Sequence, residues 1–329
     1  MDYFYLIAAF VVSVFLGNWT VAYLRKLKMG QEIREEGPKS HYVKAGTPTM
    51  GGIFFIATYE IFSIVFMIFK KCDYKVALFL LVAPLLFAGI GFLDDYEKIA
   101  KKNNLGLTAK QKLVLQILFS LAMTLYVRFV LKYTTEINIP FIKKTIDIGV
   151  LYFPFMVLVI TGSTNAVNLT DGLDGLCGGV SAVVLVALGI VARHIPQFEV
   201  EFMSHILSGA LLGFLVYNIY PAKVFMGDTG SLFLGGYLAT AFMLMKQPIH
   251  LVILGLVYVI ETLSVIIQVL YFKKTGKRFF KMAPIHHHFE MKGHHEKDIV
   301  MAFVVVTFVI AVIYIIFTRN GILWFWLWV

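Results

Sequence analysis

The sequence predicts an all-α, polytopic integral membrane protein of about ten transmembrane helices, organised as a single transmembrane domain over residues 1–329. Three observations predict it. Of the 329 residues, 59% are hydrophobic and only 15% are charged, where a soluble domain carries roughly 25% charged residues. The apolar residues fall in runs of the length that crosses a bilayer as a helix, about 20 residues. The basic residues collect in alternate loops, as they do where charge sets orientation.

Ten runs meet that length, at roughly 3–24, 48–69, 75–93, 112–131, 148–167, 173–192, 203–220, 231–246, 249–272 and 299–318. The first has no basic region before it. Asp2 precedes it, and Arg25, Lys26 and Lys28 follow. That order predicts a retained first span with its N-terminus outside. Ten crossings then return the C-terminus to the same, periplasmic side. The inner loops carry Arg34, Lys39, Lys44, Lys98, Lys101, Lys102, Lys110, Lys112, Lys223 and the basic group from Lys273 to Lys297. The net charge of +9 is therefore a matter of topology and anionic lipid, and no nucleic-acid partner is expected. The run at 231–246 is short, and that at 148–167 ends in polar residues. No internal repeat is visible. The two cysteines, Cys72 and Cys177, have neither metal-ligand spacing nor a disulfide pattern. The C-terminal "ILWFWLWV" reads as an interfacial aromatic anchor.

Polar anomalies gather on one side. "GPKSHYVKAGTPTMGG" precedes the second run, "LDDYEK" follows the third, and "TAKQK" leads into the fourth. "TNAVNLTDGLDGL" joins the fifth to the sixth, "NIYPAKVFMGDTGS" the seventh to the eighth, and "KMAPIHHHFE" lies after the ninth. All six are cytoplasmic in the ten-span plan, so a site on the cytoplasmic face is expected.

Asp94, Asp95, Asp171, Asp174 and Asp228 share one depth. A single aspartate at a helix end usually caps it, but five beside glycines suit a different task. Carboxylates are hard ligands for Mg²⁺, which binds through one or two of them together with phosphate oxygens. Glycine pairs in membrane helices commonly serve packing, which accounts for Gly178, Gly179, Gly235 and Gly236. Gly172 and Gly227, interleaved with aspartates, fit that account less well. Asn165, Asn168 and Asn218 lie near span ends, where interhelical bonding and substrate contact are both open. Lys44, Lys98, Lys110 and Lys112 lie near the aspartates and could counter a diphosphate. His286, His287 and His288 lack zinc spacing; a solvated loop and a phosphate contact both remain open for them. Glu60 and Glu261 lie inside spans, where ionisable groups are costly and face the interior. Glu261 shares a helical stripe with Ser264 and Gln268, which makes either a packing seam or a site wall.

"GTPTMGG", "LDDYEK", "NLTDGLDGL", "PAKVFMGDTGSL" and "MAPIHHHFE" stand in the order found in a known group of proteins. From about Arg34 to Asp298 the chain resembles the bacterial phospho-N-acetylmuramoyl-pentapeptide transferases, within the polyprenyl-phosphate N-acetylhexosamine-1-phosphate transferases. The resemblance implies transfer of phospho-MurNAc-pentapeptide from UDP-MurNAc-pentapeptide to undecaprenyl phosphate, giving lipid I and UMP with Mg²⁺. It implies Asp228 as the metal ligand and Asp94 and Asp95 as catalytic groups near the lipid phosphate. It places Asn168, Asp171, Asp174 and Phe225 at the uridine end, with Lys44 approaching the nucleotide and Asn165 among the substrate contacts. Lys98, Lys110, Asn218 and Gln268 would surround the diphosphate and nucleoside. His286, as a catalytic group, and His287 and His288 would lie beside the diphosphate or sugar. A homodimer in the bacterial inner membrane, with its site facing the cytoplasm, is the implied assembly. A sibling transferase using UDP-N-acetylglucosamine, and a secondary transporter with Glu60 and Glu261 as proton carriers, are the alternatives. A transporter predicts polar groups at mid-depth and internal symmetry, whereas these lie at one face.

Overall fold

The computed structural model describes residues 2–27, 44, 46–101, 106–140, 144–195 and 197–326, with side chains described to residue 318. Lys28, Arg34, Lys39, Lys102 and the side chains of the C-terminal aromatic run lie outside these. Among the described residues the chain is a helical bundle with one small hairpin. Its helices are α1 (Asp2–Lys26), α2 (Gly52–Phe69), α3 (Tyr74–Lys101), α4 (Ala109–Leu125), α5 (Tyr152–Thr170), α6 (Leu176–His194), α7 (Phe198–Asn218), α8 (Gly227–Leu244), α9 (His250–Leu254), α10 (Leu256–Thr275), α11 (Ile285–Glu290) and α12 (Glu296–Trp326). Among the described residues nine helices are long and apolar enough to cross a membrane.

The remaining expected span, 231–246, is α8. Every residue of it from Thr229 to Leu244 is buried, packed against α3, α5 and α2. A helix walled by protein rather than lipid tolerates glycine, serine and threonine on its surface, which is why α8 is less apolar than its neighbours. α7 is similarly enclosed, between α1, α6 and α2. Lipid-facing positions are large and apolar: Phe4, Phe15, Trp19, Leu158 and Leu270 are each more than half exposed.

Two expected boundaries move. The third helix does not stop at residue 93; it runs on through "DDYEKIAK" to Lys101. Residues of good helix propensity follow the apolar stretch, and Lys98 and Lys101 suit the negative end of the helix dipole. The expected single span at 249–272 is broken at Gly255 into α9 and α10. A Cβ there would lie 2.7 Å from the Leu251 carbonyl oxygen, so the close turn requires glycine.

Between α4 and α5 the chain forms a two-stranded antiparallel hairpin, β1 (Glu136–Ile139) and β2 (Lys144–Asp147). It is tied to the segment between α8 and α9. The Asn138 amide donates to the Lys246 carbonyl at 2.8 Å, and the His250 ring lies between Asn138 and Tyr314. This is the opposite end of the bundle from the conspicuous polar segments.

Candidate active site

Helix α3 delivers the first two carboxylates, and its glycine at position 91 brings them to the start of α8. A Cβ on Gly91 would fall 2.1 Å from the Asp228 carbonyl oxygen, so only glycine admits the two backbones at this spacing. Asp94 and Asp95, adjacent in sequence, then meet different partners, because successive residues on a helix point about 100° apart.

Asp95 closes the N-terminus of α8. Its Oδ1 accepts from the Asp228 amide at 3.1 Å, and its Oδ2 from the Thr229 amide at 2.9 Å and the Thr229 hydroxyl at 2.7 Å. The first amides of a helix have no partner within it, and a carboxylate there also suits the dipole. Gly227, at φ +74°, turns the chain into α8 beneath that carboxylate.

Asp94 faces two lysines instead. Its Oδ2 lies 2.6 Å from the Lys98 ammonium and 2.9 Å from that of Lys112. Its Oδ1 accepts from the Leu107 amide at 2.8 Å. The same lysines reach Asp228 Oδ2, Lys112 at 2.5 Å and Lys98 at 3.6 Å. Asp228 Oδ1 accepts from Asn168 Nδ2 at 3.0 Å, and Asn168 also donates to the Ser231 hydroxyl at 2.9 Å. One oxygen from each of Asp94, Asp95 and Asp228 lies within 4.8 Å of the others.

Lys112 arrives because α4 starts at a defined residue. Thr108 and Gln111 form a reciprocal capping box, with the Gln111 side chain accepting from the Thr108 amide at 2.9 Å. Lys110, two residues earlier and so on the opposite face, is exposed and stands apart from the carboxylates. Asn165 is engaged in packing: its amide donates to Gln116 at 2.7 Å and to the Thr161 carbonyl at 2.8 Å.

The turn from Asp171 to Gly175, between α5 and α6, links this cluster to two others. Asp171 is half-buried, and burial together with the charges of Asp228, Asp95 and Asp174 pushes its pKa up to about 8. Gly172 lies under His286. A Cβ there would be 2.2 Å from His286 Nε2, and the other ring nitrogen lies 3.0 Å from Glu261 Oε2, with both side chains fully buried. Glu261 is thereby joined through His286 to the Asp171–Gly175 turn. Asp174 completes the third cluster. Its Oδ1 lies 2.7 Å from the Lys44 ammonium, which is also 2.6 Å from Glu296 Oε1. Burial alone would lower the Lys44 pKa; hydrogen bonds to the two carboxylates outweigh it and hold the pKa above its ordinary value.

The remaining candidates hold the loops that frame these groups. Asn218 accepts from the Gly175 amide at 3.1 Å and donates to the Val224 carbonyl at 3.0 Å. Phe225 exchanges backbone bonds with Pro48 and Gly51, each 2.8 Å. Gln268 accepts from the amides of Phe279 and Phe280. His287 lies 2.6 Å from Glu290, and His288 accepts from the Lys281 amide at 3.1 Å. Lys112 was considered from sequence only among several loop lysines, and Glu296 lies outside every conspicuous segment.

A helical bundle with a carboxylate–lysine cluster at its helix ends is compatible with several phosphotransfer families, and sequence comparison decides among them. Residues 77–246 match the model for glycosyl transferase family 4. Residues 44–56 match phospho-N-acetylmuramoyl-pentapeptide-transferase signature 1. A phospho-N-acetylmuramoyl-pentapeptide-transferase of Clostridium botulinum (strain Eklund 17B / Type B) is 47% identical over 94% of each chain. The chain belongs to the phospho-N-acetylmuramoyl-pentapeptide-transferase family. Further members of that family include those of Thermoanaerobacter sp. (strain X514), 48% identical over 92% of this chain and 94% of the relative, and Bacillus pumilus (strain SAFR-032), 50% identical over 91% and 92%. The family's signature 1 spans Lys44 and the glycines that open α2.

Proposed function

We propose that this transferase moves phospho-MurNAc-pentapeptide from UDP-MurNAc-pentapeptide to undecaprenyl phosphate, giving lipid I and UMP, at the cytoplasmic face of the bacterial inner membrane. The carrying observation is that Asp94, Asp95 and Asp228 meet Lys98 and Lys112 at the ends of membrane helices in a chain of this family. One substrate is water-soluble and the other lies in lipid. A site at helix ends is open to both.

The donor set fits Mg²⁺. It consists of carboxylate oxygens, hard ligands gathered within 4.8 Å, and such sites leave room for phosphate oxygens. Asp228 would hold the ion with Asp94. Both oxygens of Asp95 accept from the start of α8, whereas Asp94 Oδ2 meets only the side-chain ammoniums of Lys98 and Lys112, which can yield to the ion. When bound, the ion would neutralise diphosphate charge and polarise the phosphoryl oxygens.

An oxygen of the lipid phosphate attacks the sugar-bearing phosphorus of the nucleotide. The bond from that phosphorus to the oxygen shared with UMP breaks, and UMP leaves with the electron pair. No proton has to move, because a phosphate monoester with a second pKa near ~6 is already largely a dianion at neutral pH. Asp94 is therefore not needed as a base; it positions Lys98 and Lys112 against the charge on the diphosphate. Asp95, tied by three hydrogen bonds, is a poor nucleophile, which favours direct attack over a phospho-enzyme.

Asp171, which burial and the neighbouring carboxylates keep protonated up to about pH 8 while no cation is bound, stands at the nucleoside end. Lys44, Asn168, Asp174 and Phe225 form the nucleotide end, while His286 serves the diphosphate or sugar. Asn165, Asn218 and Gln268 keep the walls in place, and Lys110, His287 and His288 border the mouth. The enzyme acts as a homodimer, as the family resemblance implies; light scattering in detergent tests that separately.

The test is UMP release by purified protein supplied with UDP-MurNAc-pentapeptide, undecaprenyl phosphate and Mg²⁺. Expected are near-complete loss in Asp228→Ala, loss with a chelator, and no stoichiometric UMP without the lipid phosphate. UMP formed equally well from UDP-N-acetylglucosamine would transfer the protein to the sibling activity.

A further inference from the structure

We infer that Glu296 is a positioning residue for nucleotide binding, acting by holding Lys44 and the Asp171–Gly175 turn as one unit. This rests on reading Lys44 and Asp174 as the nucleotide end of the site. Glu296 opens α12, where an acidic residue ordinarily serves only the helix dipole. Here it does something further. It is 8% exposed, and its Oε1 accepts from two donors at 2.6 Å each, the Lys44 ammonium and the Asp174 backbone amide. Asp174 in turn places Oδ1 on Lys44 at 2.7 Å and accepts the Ala222 amide on Oδ2 at 2.9 Å. One carboxylate therefore joins three segments that are remote in sequence: the stretch before α2, the turn between α5 and α6, and the start of α12.

The stoichiometry of donors gives this arrangement a consequence for a ligand. A lysine ammonium has three N–H donors and no acceptor. Among the described residues Asp174 and Glu296 take two of them, which leaves one for a ligand and fixes where the ammonium sits. Without the Glu296 charge, Lys44 falls onto Asp174 alone, and the Asp174 amide loses a charged acceptor. Buried charge-assisted bonds of this kind are the strong ones. The loss should appear in affinity for the nucleotide, not in the chemical step, which takes place at the carboxylate–lysine cluster.

The experiment compares the parent with Glu296→Gln, Lys44→Met and the double variant in detergent. The measurements are KM for each of the two substrates, kcat, UMP affinity by calorimetry, and Tm. Glutamine keeps an oxygen for both donors and removes the charge. The expected result for Glu296→Gln is about a tenfold rise in KM for UDP-MurNAc-pentapeptide and in the Kd for UMP. The KM for undecaprenyl phosphate should stay within about twofold and Tm within a few degrees. In the Lys44→Met background the same change should cost less than about threefold, because the two residues act as a unit. Unaltered UMP affinity would overturn the inference. So would a parallel loss of Tm and of both affinities, or full additivity with Lys44→Met. A parent that binds UMP but transfers no sugar phosphate would sink the assigned reaction instead, while the UMP shift would still judge Glu296.

Discussion

The carboxylates of Asp94 and Asp228, carried by different helices, share the single ammonium group of Lys112 at 2.9 and 2.5 Å. Lys98 spans the same pair at 2.6 and 3.6 Å. Two cations between two of the cluster's three carboxylates offset most of its charge before any substrate arrives, with ammonium groups already where phosphate charge would come. Preorganised charge of this kind is the main resource in phosphoryl transfer, where positioning and electrostatics supply most of the rate.

Lys112 and Lys110 should therefore behave oppositely. Removing one preorganised electrostatic group typically costs about 100- to 1000-fold in kcat. Lys112→Met is expected to lose about that much UMP release, with Lys110→Met staying within about threefold. Equal effects of the two substitutions would remove Lys112 from the cluster's chemistry.

Asp94 and Asp95 should separate by the kind of damage they cause. Asp95→Asn keeps one acceptor oxygen but turns an amide N–H₂ toward donors at the start of α8, and leaving a buried donor unmatched costs about 1–3 kcal/mol, which lowers Tm together with activity. In Asp94→Asn the remaining oxygen can still accept the Leu107 amide, and Lys98 and Lys112 keep Asp228 as a counter-ion, so Tm should fall less than in Asp95→Asn while activity falls as far. Thermal unfolding in detergent beside turnover distinguishes them; a stable, inactive Asp95→Asn would make Asp95 a reacting group after all.

Gly91 offers a steric counterpart. A methyl at this position meets the Asp228 carbonyl, which is backbone and cannot swing away, whereas one at Gly89 meets nothing within 4 Å. Overpacking of this sort costs about 1–3 kcal/mol, and here it pushes the start of α8 off α3. Gly91→Ala should lose tenfold or more in turnover, and Gly89→Ala should match the parent. Indistinguishable rates would mean that α3 and α8 are spaced more loosely than described.

These contrasts mark how far the sequence could be read. The spans followed from composition alone, because crossing lipid demands about 20 apolar residues whatever the tertiary structure. The break at Gly255 did not: glycine is common in membrane helices, and only packing turns one into a bend. The aspartates stood out because five of them, beside glycines, share one depth. Their division of labour was hidden, since Asp94 and Asp95 differ only in the direction that α3 gives them. Both Lys110 and Lys112 stand in "TAKQK", and the resemblance implied a substrate role for Lys110 alone; the capping box sets the register of α4 so that Lys112 meets the carboxylates instead. Glu296 gave no signal, because an acidic residue beginning a helix has an ordinary explanation and its partners are remote in sequence.

Asp171 makes the site's electrostatics visible in the pH dependence of stability. An unfolded aspartate titrates near ~3.9, whereas folded Asp171 keeps its proton up to about 8 through burial and the charges of Asp228, Asp95 and Asp174. Between these values the folded state binds one more proton than the unfolded state. Its contribution therefore makes stability fall as pH rises from ~4 to ~8, and adds no slope above. Asp171→Asn carries no proton equilibrium, so its Tm should decline less steeply across that window, with the parent and variant curves diverging toward pH 8. The measurement is best made with a chelator present, since a bound cation would favour the ionised carboxylate and erase the difference. Parallel curves for the two proteins would show that Asp171 is already ionised at neutral pH even in the metal-free protein.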